Sequence, residues 1–465
     1  MDKYKKLFSN TIIFAMGSFG SKLLVFLMVR FYTGQLSTAE FSTADIIVQT
    51  ANFLIPLATL SIAESITRFG LDRDYDNTKI FTAGIFTVLI GMTGLAVLFP
   101  LINLVHMFDG YGMLLYVYVY TSSFRALCSQ FVRARGLVKL YAFDGILTTF
   151  VMILLNILML AVFHWGIHGY ILSIVLSDAS SILFLTIAAK LPKFIRFNKL
   201  DSDLTRTMLR YSIPLIPSAV LFLVISVSDR YFVRGMISDE ANGIYTAANK
   251  LPQIVAIVSA FFTQAWHMSA ITESNAKDTA KFYGKVFGAY QSVMYIATAG
   301  IILLNKPIMK ILVDKSYFEA YKYIPMLIFG MLMMVFGSFL SSVYAATKHT
   351  VNSLVTSFLS AGTNIVLNIL LIPKLGIQGA AFATLISYAV CYFIRLFDTR
   401  RYIHFHVDFG MVIINTLAIT VMTVISLIEP KNMYIWLVIG CVLITAINFK
   451  AVIRTIVKVM PHKKA

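Results

Sequence analysis

Several side chains able to do chemistry stand inside long apolar runs. Lys22, Arg30, Arg125 and Lys250 are cations, Glu64, Asp178 and Asp229 are acids, and Arg230 follows Asp229 directly. A charge placed in hydrocarbon costs about 3 kcal/mol on insertion scales, so each one asks for a reason. Cations lining a wet cavity could hold an anionic substrate group, Arg by forked hydrogen bonds and Lys as a point charge. A buried carboxylate could exchange a proton or take up Na⁺. Each residue also has a plainer role open to it. Lys22 could pair with a buried acid, and Arg30 could anchor at the membrane interface. Asp178, flanked by Ser177, Ser180 and Ser181, could tie two helices together. Glu64 stands one helical turn before Arg68 and could pair with it. Asp229 and Arg230, being adjacent, point in different directions; they are expected to pair with other helices and to form an ion-coupling or gating element. Asn156 and Asn368 could contact a substrate or hydrogen-bond a neighbouring helix. Pro214, Pro217 and Pro252 free backbone carbonyls inside apolar segments and are expected hinges. The eight His and three Cys show no ligand spacing, so no metal site or bound cofactor is expected beyond a coupling ion, H⁺ or Na⁺.

The elements that must position these residues are membrane helices. The chain has 465 residues, 58% hydrophobic and 13% charged, with a mean hydropathy of +0.79. That composition excludes a soluble globular protein. Apolar segments long enough to span a bilayer fall at 8–32, 41–67, 80–104, 111–132, 141–163, 167–189, 208–234, 243–269, 282–304, 322–346, 351–372, 377–397, 409–428 and 432–454. This reads as an all-α polytopic membrane protein with about 14 transmembrane helices, the first of them a retained span rather than a cleaved leader. With the N-terminus cytoplasmic, 27 of the 39 Lys and Arg fall on the inner side and 8 on the outer side. Both termini are therefore expected in the cytoplasm, and the net charge of +17 reads as topology rather than as a nucleic-acid surface. The segment 305–321 puts lysines on the wrong side and is expected to be a short amphipathic outer helix. No connection exceeds about 20 residues, which leaves no room for a nucleotide-binding or extramembrane catalytic domain. Transport, not catalysis, is the expectation.

The chain also repeats itself. Leu155-Asn156-Ile157-Leu158 precedes Gly166-Ile167-His168-Gly169, as Leu367-Asn368-Ile369-Leu370 precedes Gly376-Ile377-Gln378-Gly379, and Phe31, Gly34 and Ser37 are echoed by Phe232, Gly235 and Ser238. Helices 1–6 are thus in register with helices 7–12. The expected organisation is a six-helix lobe at 1–189, a basic linker at 190–207 lying on an anionic leaflet, a second pseudo-symmetric lobe at 208–397, a cytoplasmic loop at 398–408, and two accessory helices with a basic tail at 409–465. The paired Gly-Ile-x-Gly turns are expected to let one helix start tightly against its neighbour.

Three blocks of sequence resemble a known family. They are Tyr211-Ser-Ile-Pro214-Leu-Ile-Pro217 with Asp229-Arg230, Gly243-Ile-Tyr245, Asn249-Lys250-Leu-Pro252 and Trp266; Glu64-Ser-Ile-Thr-Arg68-Phe69; and Leu367-Asn-Ile-Leu-Leu-Ile-Pro373 through Gly376, Gly379 and Thr384. The chain resembles the Wzx-type polysaccharide and O-antigen flippases of the multidrug, oligosaccharidyl-lipid and polysaccharide exporter superfamily. The resemblance implies a cytoplasmic-membrane flippase that turns an undecaprenyl-diphosphate-linked oligosaccharide, for capsule, O-antigen or another surface glycan, from the inner to the outer leaflet under an ion gradient. Its partners would be that lipid-linked glycan and membrane lipid, with glycan polymerase and glycosyltransferases nearby and no nucleic acid. Three alternatives stand beside it: a multidrug cation antiporter of the same superfamily, a peptidoglycan lipid-precursor flippase, and a membrane-embedded glycan polymerase or ligase.

Overall fold

A computed structural model describes residues 24, 26–72, 74–103, 110–259, 279–347 and 349–459. All regular structure among them is helical. The helices are α1 (26–35), α2 (Thr38–Ala58), α3 (Ile62–Gly70), α4 (Asn77–Asn103), α5 (Gly112–Ala134), α6 (Val138–Asn156, continued as a π-helix over Ile157–Val162) and α7 (Gly166–Ala188). After them come α8 (Ser202–Ser212), α9 (Ile216–Met236), α10 (Asp239–Ala248), α11 (253–259), α12 (Thr279–Leu303) and α13 (Asn305–Leu312). The last five are α14 (Ile324–Ala346), α15 (Thr350–Leu375), α16 (Ile377–Asp398), α17 (Phe409–Ile428) and α18 (Met433–Val459). Nine segments among the described residues are long and apolar enough to cross a membrane. The protein is an all-α, multi-pass membrane protein.

The expected spans at 41–67, 208–234 and 243–269 are interrupted where composition stays apolar. α2 contains Pro56 and ends at Ala58; Leu60 and Ser61 then take left-handed φ values of 49° and 50° before α3 begins. Pro214 opens a 3₁₀ turn over Ile213–Leu215 that separates α8 from α9. Asn249 to Pro252 form a turn between α10 and α11. A proline cannot donate into the preceding turn, so two of these breaks fall where it would force them. The segment 305–321 is indeed short helices, α13 followed by a 3₁₀ run over Lys315–Lys322.

The chain divides into two compact units, Met1–Val227 and Ser228–Ala465. In the first, α5 packs on α3 and α7, and α6 packs on α7. Helix starts follow local sequence. Ser37 accepts from the Glu40 amide at 3.3 Å while Glu40 Oε2 accepts from the Ser37 amide at 2.9 Å, a closed capping box for α2. Asp201 caps α8 by accepting from the Leu204 amide at 3.1 Å. The same carboxylate accepts from Lys79 at 2.9 Å, tying α8 to the first turn of α4, and that hydrogen bond holds the Asp201 carboxyl below its usual range. Ser65 of α3 donates to the Met208 carbonyl at 2.6 Å. In the second unit α16 is gripped by α14 and α15. Gly330 brings α14 onto the Leu385 backbone, where an added methyl would lie 3.2 Å from its Cα. The core there is aromatic: Phe339 stacks on Phe287 at 5.0 Å and on Tyr290 at 5.4 Å.

The Gly-Ile-x-Gly turns have the geometry expected of them. Gly166 and Gly376 both have positive φ, 51° and 59°. A Cβ on Gly169 would meet the Met159 carbonyl at 3.2 Å, and one on Gly379 would overlap the Leu371 carbonyl. Each hairpin therefore closes through a glycine against the last turn of the preceding helix.

Gly91 of α4 sits so close to α2 that a methyl there would overlap the Ala58 carbonyl. Backbone cannot give way as a side chain can, so Gly91→Ala should destabilise the first unit by about 1–3 kcal/mol. A lowered thermal midpoint of the detergent-solubilised protein checks this; an unchanged midpoint would mean that the contact yields cheaply.

Candidate functional site

In the second unit one buried carboxylate takes its hydrogen bonds from neutral side chains. Asp229 on α9 is 4% exposed and receives hydrogen bonds from three helices. Asn368 Nδ2 of α15 donates at 2.6 Å, Tyr245 Oη of α10 donates at 2.8 Å, and Thr384 Oγ1 of α16 makes a short contact with the second oxygen. Asn368 Nδ2 also donates to Asn364 Oδ1 at 3.0 Å, which accepts from Ser228 at 2.7 Å. Asn368 Oδ1 is buried with no hydrogen-bond partner. Among the described residues no Lys, Arg or His forms an ion pair with Asp229, the adjacent buried Arg230 included. Chemically this is a cluster of oxygens: a carboxylate, two amide oxygens and three hydroxyls, suited to a proton or a hard monovalent cation. Clusters of three or more His, Cys, Asp or Glu able to hold a metal are absent among the described residues.

The first unit treats its acids differently. Asp178 on α7 is 3% exposed and accepts from Ser122 of α5 and from Arg125 Nη1 at 3.3 Å. The Arg125 side chain is a third exposed, and its Nε is buried without a partner. One turn along α7, Ser181 donates to Asp144 of α6 at 2.6 Å. Two carboxylates and one guanidinium thus tie α5, α6 and α7 together. Asp178 does bond across helices, but not through its sequence neighbours: Ser177 and Ser180 turn back onto the carbonyls of Ile174 and Leu176.

The other sequence candidates fall in varied places. Lys22 lies outside the described residues. Arg30, near the middle of α1, is exposed. Lys250 is not two turns inside a continuous span; it stands, half-buried, in the turn that ends α10, because the chain leaves the helix before Pro252. Glu64 is a second correction. It and Arg68 are both exposed on α3, and they form no ion pair; depth along the sequence does not say which face of the helix a residue takes. Asn156 is fully buried, but its amide returns to the Met152 carbonyl of its own helix at 2.9 Å. Arg230 is buried beside Asp229. Pro214 and Pro217 sit at the start of the 3₁₀ turn and of α9, and Pro252 sits in the turn before α11.

Asp144 and Arg395 were missed. Both lie close to a span end, and Arg395 counts as a loop cation in the topology arithmetic. It is 6% exposed and donates to Thr356 Oγ1, the Gly337 carbonyl and Ser357 Oγ, each at 2.9 Å. The signal that could have found it is the Ser and Thr spacing of Ser353, Thr356 and Ser357 on the neighbouring helix.

Residues 7–267, more than half of the chain, match the family model described as polysaccharide biosynthesis protein. The chain belongs to that family. A search of curated protein sequences finds no match. Among solved structures it is similar to the lipid II flippase MurJ in an inward closed conformation, with a TM-score of 0.72, 15% identity, and 96% of this chain and 100% of that one covered. It is also similar to an inward-facing multidrug resistance MATE family transporter of the MOP superfamily, with a TM-score of 0.68, 14% identity, and 82% and 94% covered. A Vibrio cholerae MATE transporter matches with a TM-score of 0.59, 15% identity, and 85% and 96% covered. At these identities the likeness establishes the fold alone.

Replacing Asn368 by Leu removes one of the three donors to Asp229 and should cost about 1–3 kcal/mol of stability. Asn156→Leu loses only a bond within its own helix and should cost less. Thermal midpoints of the two variants, measured side by side, decide it; equal losses would mean that the Asp229 network contributes nothing special.

Proposed function

We propose that this protein is a flippase that carries an undecaprenyl-diphosphate-linked oligosaccharide from the inner to the outer leaflet of the cytoplasmic membrane by ion-coupled alternating access. Both termini would lie in the cytoplasm. The family match and the transporter fold support the class, and they favour transport over catalysis. Asp229 is the observation that carries the coupling. It is a buried carboxylate held by side chains from three helices and in no ion pair among the described residues, a place where a proton or Na⁺ could be exchanged without breaking those helices apart. Arg125, whose side chain is a third exposed, would offer its guanidinium to a phosphate oxygen. Arg30, Lys250 and Lys22 are the remaining cations proposed to serve the diphosphate.

The likeness to a lipid II flippase supports a second reading, a peptidoglycan lipid-precursor flippase. Deletion followed by lipid extraction separates the two. An undecaprenyl-linked surface-glycan unit should accumulate on the cytoplasmic leaflet while the peptidoglycan precursor stays at its normal level. Accumulation of the peptidoglycan precursor instead would favour the second reading, and loss of drug efflux with no lipid accumulating would favour a drug exporter.

Asp229→Asn keeps the size and the acceptor oxygen but removes the charge. In proteoliposomes it should lower flipping about tenfold or more and abolish the response to an imposed proton or sodium gradient, while protein yield and thermal midpoint stay near the parent's. A variant that still responds to the gradient would remove Asp229 from the coupling step.

A further inference from the structure

The ion-coupling and diphosphate residues leave unused a groove on the first unit, beside α8. That helix is amphipathic. Leu204 and Met208 are buried against α3 and α4, while Arg206 and Arg210, one turn apart, are exposed. Two cavities of about 480 and 490 Å³ meet there and share Phe86, Thr205 and Leu209. The first is edged by Arg206 and Arg210. The second is almost wholly apolar and runs past Leu57, Ile90 and Leu98. Its origin is the break after α2. The chain turns away at Leu60 and Ser61, Gly91 holds α4 against the end of α2, and the space beside Gly94 is open.

The placement of charge and apolar surface matches an amphiphile. α4 crosses as Asn77–Leu98, and α8 is pinned to its first turn by Lys79 and Asp201. Arg206 and Arg210 follow Asp201 by five and nine residues and line the first cavity together with Phe86 of α4. From Phe86 to Leu98 the apolar wall extends about 18 Å along the helix at 1.5 Å per residue. Neither Arg206 nor Arg210 makes an ion pair among the described residues. Of the nearby acids, Asp201 is held by Lys79, and Asp203 lies one turn before Arg206 outside the groove lining. A guanidinium pair at the surface above an apolar channel attracts a phosphate that carries a chain, and free phosphate would leave the channel empty.

We propose that this groove binds one anionic membrane phospholipid, its phosphate between Arg206 and Arg210 and one acyl chain along Phe86, Ile90 and Leu98. The bound lipid fixes α8 at the membrane surface. The site is separate from the residues assigned to flipping, so it stands or falls without them.

Native mass spectrometry of the delipidated full-length protein tests it, with phosphatidylglycerol and phosphatidylcholine as competing probes. One phosphatidylglycerol should be retained in about tenfold preference, a difference readily resolved in bound fractions. Arg206→Gln with Arg210→Gln should erase the preference, and Ile90→Trp, which fills the channel and keeps the charge, should weaken retention. Circular dichroism melting confirms that these variants fold. Equal retention of the two lipids, or an undiminished preference in the double variant, overturns the site. Displacement of the lipid by millimolar inorganic phosphate, or stronger retention of a polyprenyl phosphate than of phosphatidylglycerol, overturns the choice of occupant.

Discussion

Hydrocarbon offers no hydrogen bonds, so every polar group of a membrane helix must find its partner within the protein. Asp229 is where this constraint binds hardest. Its donors arrive from α10, α15 and α16, and α15 is brought to α16 by the hairpin that closes at Gly376 and Gly379. Remove the close approach at Gly379 and the Thr384 and Asn368 side chains no longer converge on one carboxylate. The placement of the charge and the packing of the hairpin are thus one arrangement. Arg395 meets the same constraint with the opposite sign, its guanidinium shared among hydroxyls and a carbonyl on two neighbouring helices.

Much of this was legible in the sequence, for a physical reason. Run length of apolar residues reports how much helix can sit in hydrocarbon, and α4, α6, α7 and α14 to α17 fall where the runs predict. Run length is blind to a backbone that leaves the helix while its side chains stay apolar, so the breaks at Leu60–Ser61 and Asn249–Pro252 were not visible in it. Proline marks where such breaks are cheapest, and Pro214 and Pro252 do lie at two of them.

The candidate site was legible in part. An acid far from either end of an apolar run has nowhere to hide, which is why Asp178 stands out. Near a span end the same reasoning fails, because burial then depends on the helix face. Glu64 takes the exposed face, and Asp144 and Arg395 take the buried one. Partners were the least legible of all. Asp178 has serines on either side in sequence yet is served by Ser122 and Arg125 from another helix.

The internal repeat preserves backbone geometry and lets the chemistry diverge. Both hairpins turn through a positive-φ glycine and close on a second glycine, but the matching asparagines do different things. Asn156 bonds to its own helix, whereas Asn368 reaches Asp229. The electrostatic consequences differ in kind. In the second unit the carboxylate is held by an amide and two hydroxyls and forms no ion pair among the described residues. In the first unit Arg125 already neutralises Asp178, so an added cation would have to compete with a guanidinium. One repeated scaffold therefore carries a carboxylate served by neutral donors in one unit and a carboxylate paired with a guanidinium in the other.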